Sequence, residues 1–260
     1  MLFPMPDEQD VLVAMLIFLR VSALMILIPV LGHKLVPQPV KTGLILLITF
    51  LLYPVVSPHV QAIRPEPVSF VLLAVQEMLF AGVLALLANL IFATVQFAGQ
   101  VMSIQMGMSI ANVFDPATSA QGAIVAQFAS VFAMLLWLSS GAHHMFILAL
   151  ANSFTVLPIG EAWSFQGWGL LNDAAAQMFA LALRLMAPVL LLLFFINVSL
   201  GLVSRAVPQI QVFFVSFPIT LGMGLLALSL AFPAVISLTN DAFMSLGQAL
   251  PSMMRALAGG

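Results

Sequence analysis

The sequence predicts an all-α, polytopic membrane protein with about six long apolar helices, several of them broken by glycine or proline. Composition is the first ground for this. Of 260 residues, 63% are hydrophobic and only 6% are charged, against about 25% charged in an ordinary soluble domain. Seven Lys plus Arg and nine Asp plus Glu cannot cover a water-soluble globule of this size, so most of the outside faces lipid or other protein. The second ground is run length. Crossing a hydrocarbon core of about 30 Å takes about 20 apolar residues in a helix, and several runs reach or approach that length. The third is the lack of alternation: the runs are apolar on nearly all faces, whereas membrane β-strands alternate and span about 10 residues. No period of about 20–50 residues repeats. A single helical domain over residues 1–260 is expected, with a first half, 1–122, ending in a central loop, and a second half, 123–260.

Each run can be taken in order. Val11–Leu31 is interrupted only by Arg20 and Pro29. Asp7, Glu8 and Asp10 precede it where a signal peptide would carry basic residues, so this first helix is expected to be retained. Gly43–Val56 is shorter and follows the polar, proline-broken link His33-Lys34-Leu35-Val36-Pro37-Gln38-Pro39. Val68–Phe97 is long and holds Glu77 and Asn89. Ala123–Leu157 is apolar except at Gly141-Ala142-His143-His144, and a turn there would make seven segments of six. Ala174–Leu200 carries Arg184 and Pro188, and Val212–Leu238 carries Pro218 and Pro233. Proline is tolerated at membrane depth when neighbours re-satisfy the freed carbonyls. Lys34, Lys41 and Arg205 lie in links that six crossings put on one side, opposite Glu161 and Asp173. The positive-inside rule then places those basic links in the cytoplasm and both termini outside.

Composition also excludes functions. A net charge of −2 provides no basic field for nucleic acid. Without cysteine there is no disulfide, thiolate catalysis or Cys-ligated metal. His143 and His144 are adjacent, so on a helix they point about 100° apart and are poorly placed to share one metal. Ser103, Ser109, Ser119 and Ser130 lack a Gly-x-Ser-x-Gly elbow and a recognisable base. Neither an enzyme nor a cofactor is expected. Arg20, Glu77, Arg184 and Arg205 are candidate buried charges or subunit contacts. A charge at a helix centre costs a few kcal/mol on insertion scales, which structural pairing or a neighbouring subunit would offset.

The most informative stretch runs from Gly99 to Gly122. Gly99, Gly107 and Gly122 loosen a helix, and Asp115-Pro116 ends or turns it, so these five are candidate loop hinges. Between them sit Met102, Met106, Met108, Ile110, Val113 and Phe114. Glycine-broken polar backbone at this depth is viable only if protein buries it or it lines a water-filled cavity. Flexible, polarizable methionines can close a passage and reshape, and apolar constrictions gate by dewetting. On composition alone, plain core packing is the preferred reading of these side chains.

Resemblance changes that balance. The run Gln105-Met106-Gly107-Met108-Ser109 followed by Asp115-Pro116 resembles the central loop of the FliR family of flagellar type III export-gate proteins. Leu157-Pro158-Ile159-Gly160, and Arg205 with Pro208-Gln209, Phe213 and Phe217-Pro218, are similar to that family's second half. Arg20, Pro29, Pro37, Lys41 and His143 fit its pattern, while Gln211 and Ser216 stand where Asn and Gly are commoner. The resemblance spans residues 20–218. It implies an export gate formed with several copies of FliP and FliQ, associated with FlhB and other basal-body export components, that passes unfolded flagellar subunits. It implies residence in the bacterial inner membrane and flagellar basal body, with part of the assembly lifted toward the periplasm. It also implies that the central loop helps to plug the closed pore. Related proteins serve virulence-type injectisomes, the alternative branch. A secondary transporter, the alternative class, should show two halves with matching broken helices and a polar midplane site; only one such broken region is present.

Overall fold

The computed structural model describes residues 7–33, 36–60, 66–108, 124–161, 168–207 and 212–258, and every regular element among them is helical. Helix α1 (Glu8–Leu27) opens with Glu8 and Asp10 in its first turn, where the helix dipole favours negative charge. The Asp7 amide donates to Asp10 Oδ2 at 3.1 Å. The helix stops at Ile28, which is extended (φ −71°, ψ 128°), because a following proline disfavours helical backbone. A single turn, α2 (Pro29–Gly32), follows, and Lys41 Nζ donates to the Gly32 carbonyl at 2.9 Å. Helix α3 (Gln38–Val56) carries proline in its first turn, where no backbone donor is missed, and runs into a 3₁₀ turn at Ser57–His59.

Helix α4 (Pro67–Gln105) has 39 residues, α5 (Ile124–Ser139) has 16 and α6 (Ala142–Val156) has 15. Helix α7 (Trp168–Ala206) has 39 and α8 (Val212–Ala258) has 47. Among the described residues five helices are long and apolar enough to cross a membrane, or six if α5 and α6 count as one broken span. The sequence left six or seven segments open at Gly141. That residue does make a turn, with φ +73°, which breaks the run into α5 and α6. Each of the two is only about 24 Å long or less at 1.5 Å per residue, short of the about 30 Å hydrocarbon core. Helix α8 also continues some twenty residues beyond Leu238, straight through Pro251.

The chain folds as two compact units that interleave along the sequence. One comprises Met1–Leu90, Gly141–Ala174 and Met244–Gly260; the other comprises Ile91–Ser140 and Ala175–Phe243. Helices α4, α7 and α8 each supply a stretch to both. In the first unit the core draws on Leu16, Ile17, Val21 and Leu24 of α1, Phe80, Ala81 and Leu84 of α4, and Phe146 and Leu150 of α6. In the second, Phe92 lies 5.1 Å from Phe243 and 6.3 Å, edge-on, from Trp137, within the usual span for aromatic pairs. The buried positions of α4 (Phe80, Leu84, Ala88, Ile91, Val95, Ala98, Met102) follow helical spacing, while Leu72, Leu79, Leu86 and Ile104 stay exposed. Hydropathy could not tell these faces apart because both are apolar. Exposed Phe50, Phe194, Phe195 and Leu230 provide lipid-facing or subunit-facing surface of the kind the composition demands.

Candidate functional site

Two polar or glycine-broken places stand out, one in each unit. In the first, Arg20 of α1 and Glu77 of α4 are both fully buried and form an ion pair through Arg20 Nε and Glu77 Oε2. Arg20 Nη1 donates to the Ser153 carbonyl and Nη2 to the Leu157 carbonyl, both at 3.0 Å. The guanidinium lies 4.4 Å from the Phe154 ring centroid and 5.2 Å from that of Phe80, within cation–π range. One arginine thus ties α1 to α4 and to the C-terminal end of α6, adding a second donor to the Ser153 carbonyl, which also accepts from the Leu157 amide, and supplying one to the Leu157 carbonyl past the helix end. A buried pair adds stability only when its other polar contacts are also met. Among the described residues the second carboxylate oxygen, Glu77 Oε1, is buried without a hydrogen-bond partner.

In the second unit the end of α4 is built from methionine and glycine. The last helical turns are closed by the Met106 amide to the Met102 carbonyl at 2.9 Å and the Gly107 amide to the Ile104 carbonyl at 3.0 Å. Gly107 then takes φ +82°, a left-handed conformation that only glycine adopts freely. Met102 and Met106 are buried and Met108 is half-buried, and Ser103 Oγ donates to Met108 Sδ at 3.6 Å. Met106 lies against Gly224 of α8, where a Cβ would come within 2.6 Å of Met106 Cγ. At Gly99 a Cβ would lie 2.8 Å from the Cα of Ala126, so the backbones of α4 and α5 touch there. A small cavity of about 30 Å³ beside Met102 is lined by Val95, Phe128, Phe132 and Phe232 among others. With apolar walls it gives a water no partners.

Comparison with known proteins decides the family. Residues 11–246 match the bacterial export proteins, family 1. The chain is 32% identical to the flagellar biosynthetic protein FliR of Bacillus subtilis (strain 168) over 235 residues, covering 88% of this chain and 89% of that protein. It is 32% identical to FliR of Escherichia coli (strain K12) over 242 residues, covering 92% and 91%. For FliR of Pectobacterium carotovorum subsp. carotovorum the figures are 33% over 242 residues, 93% and 92%. The chain belongs to the FliR family of bacterial export proteins.

Within this FliR-family fold, the candidate residues separate into groups. Arg20 and Glu77, far apart in sequence, meet. Arg184 and Arg205, named with them as candidate buried charges or subunit contacts, are both exposed in this chain. Gly107 sits at a break in the helix, but Gly99 lies well inside α4 and serves close helix packing. Ile110, Val113, Phe114, Asp115, Pro116 and Gly122 lie outside the described residues. The His143 and His144 rings have centroids 3.9 Å apart and are tilted by 38°, and among the described residues no cluster of three or more metal-ligating side chains occurs. Sequence reasoning missed Gly224, Ser153, Phe80 and Phe154. None belongs to a motif, and only their three-dimensional neighbours mark them.

Proposed function

We propose that this chain is a subunit of the flagellar type III export gate. In this reading it forms, with FliP and FliQ and alongside FlhB, the channel through which unfolded flagellar subunits leave the cytoplasm. The assembly sits in the bacterial inner membrane at the flagellar basal body, and the chain acts by shape and packing rather than by chemistry on a substrate. Met102, Met106 and Met108, with Ile110, Val113 and Phe114, help to seal the closed pore.

The observation that supports the sealing role is the end of α4. Buried Met102 and Met106 are packed there, and the helix breaks at left-handed Gly107, so flexible apolar side chains gather where the backbone leaves helical geometry. The relatives' names favour the flagellar over the injectisome branch. Helices α4 and α7, at 39 residues, are about 58 Å long, nearly twice the hydrocarbon thickness. That fits a subunit whose ends stand clear of the bilayer among partners.

The test deletes Met106–Phe114 in the native host and scores ion leak across the membrane together with export of flagellar subunits. Leak, with export retained or deregulated, is the expected result. A tight membrane with export lost because the complex fails to assemble would return the stretch to core packing.

A further inference from the structure

We infer that Gly224 is the seat of a latch: its missing side chain admits Met106 and so fixes the end of α4 in the closed state. Three observations converge on it. Met106 is fully buried, so its side chain does not reach solvent. A Cβ at position 224 would stand 2.6 Å from Met106 Cγ and 3.2 Å from both Sδ and Cε. Because Cγ moves only by rotation about χ1, the clash cannot be relieved by shifting the thioether tip alone. Immediately after Met106, Gly107 leaves helical geometry with φ +82°, so the methionine is the last anchored side chain before the break. Position 222, one turn-fraction away on α8, provides the contrast: a Cβ there meets nothing within 4 Å. Two glycines with the same backbone cost therefore differ only in what they face.

The inference rests on the sealing reading of the α4 end and adds the partner surface that holds it. Gly224 is a positioning residue: it acts through Met106. For the end of α4 to move during export, Met106 must leave its seat.

The chain has no cysteine, which permits a clean test in the assembled native complex. A Met106→Cys/Gly224→Cys variant removes the Sδ and Cε atoms, sets a sulfur where Cγ stood and places two thiols at the seat, within reach of each other for a disulfide. Oxidation in membranes is expected to give an intramolecular bridge, seen as a gel-mobility shift absent from either single variant. Export should fall at least tenfold on oxidation and return on reduction. Absence of the bridge, or undiminished export with the bridge complete, overturns the latch.

In parallel, Gly224→Ala and Gly222→Ala are compared for ion leak, with complex assembly checked in each. Gly224→Ala is expected to leak several-fold more than Gly222→Ala, which should resemble the parent. Equal leak from the two overturns the seat even if the cysteine pair proves inactive when reduced. The Met106–Phe114 deletion serves as reference. If the deletion leaks while Gly224→Ala stays tight, the seat fails and sealing stands. If the deletion itself is tight, the sealing reading fails and the latch with it.

Discussion

Replacing Glu77 with alanine isolates the energetics of the buried pair. The substitution leaves the Arg20 guanidinium in the first unit's core, with both side chains at 0% exposure and the charge uncompensated. Removing one partner of such a pair costs about 3–5 kcal/mol. Arg20→Met should cost a similar amount, for a different reason. It strands the carboxylate and also withdraws the donor to the Leu157 carbonyl, whereas the Ser153 carbonyl keeps the Leu157 amide at 2.9 Å. One buried carbonyl left without a donor is worth about 1–3 kcal/mol. The double variant Arg20→Met/Glu77→Leu removes both charges at once, so it should lie only about 1–3 kcal/mol below the parent, the deficit coming from Leu157. The cycle is read by equilibrium unfolding of the purified chain in mixed micelles, titrating SDS into a mild detergent and following tryptophan fluorescence. Two results would refute the reasoning: Glu77→Ala within 1 kcal/mol of the parent, or a double variant no more stable than Glu77→Ala.

Gly99→Ala should destabilise by about 1–3 kcal/mol through overpacking, because the obstructing atom is the Ala126 backbone rather than a movable side chain; the same unfolding assay checks it. Gly43→Ala, where a Cβ meets nothing within 4 Å inside α3, should be neutral or stabilise by up to about 1 kcal/mol, and a clear loss would mean that this face of α3 is covered in the folded protein. Co-expression with FliP and FliQ should raise the yield and monodispersity of the chain, since its exposed aromatic and aliphatic surface needs partners as well as lipid; equal behaviour of the chain alone would count against that.

The helices were legible because their signal is additive: run length and lack of charge accumulate over twenty residues and survive local interruption. Gly141 was legible as a possible break for the same local reason. What stayed hidden is pairwise. Arg20 and Glu77 lie 57 residues apart and Arg20 and Leu157 lie 137 apart, and nothing in uniformly apolar helices says which faces meet. Arg184 and Arg20 look alike in sequence, each a lone arginine in a long apolar run, yet one is exposed and the other fully buried. Gly99 read as a hinge because glycine loosens isolated helices, but the cost of a glycine is repaid where two backbones touch. The resemblance to the FliR family came from ordered short motifs, which mark ancestry and not contacts, so it located the methionines without locating Gly224.

The reach of Arg20 also sets a schedule. Its partners lie 57, 133 and 137 residues downstream, so α1 is made long before anything exists to receive its guanidinium. At a synthesis rate of roughly 5–20 residues per second, the wait for Leu157 is roughly 7–27 s. For that interval the arginine's long stem must let the charge snorkel to water or headgroups, and α1 cannot yet occupy its final depth. The first helix of this protein is therefore settled by one of its later ones, and a ribosome that stalls before residue 157 leaves behind a membrane segment still waiting for its counterpart.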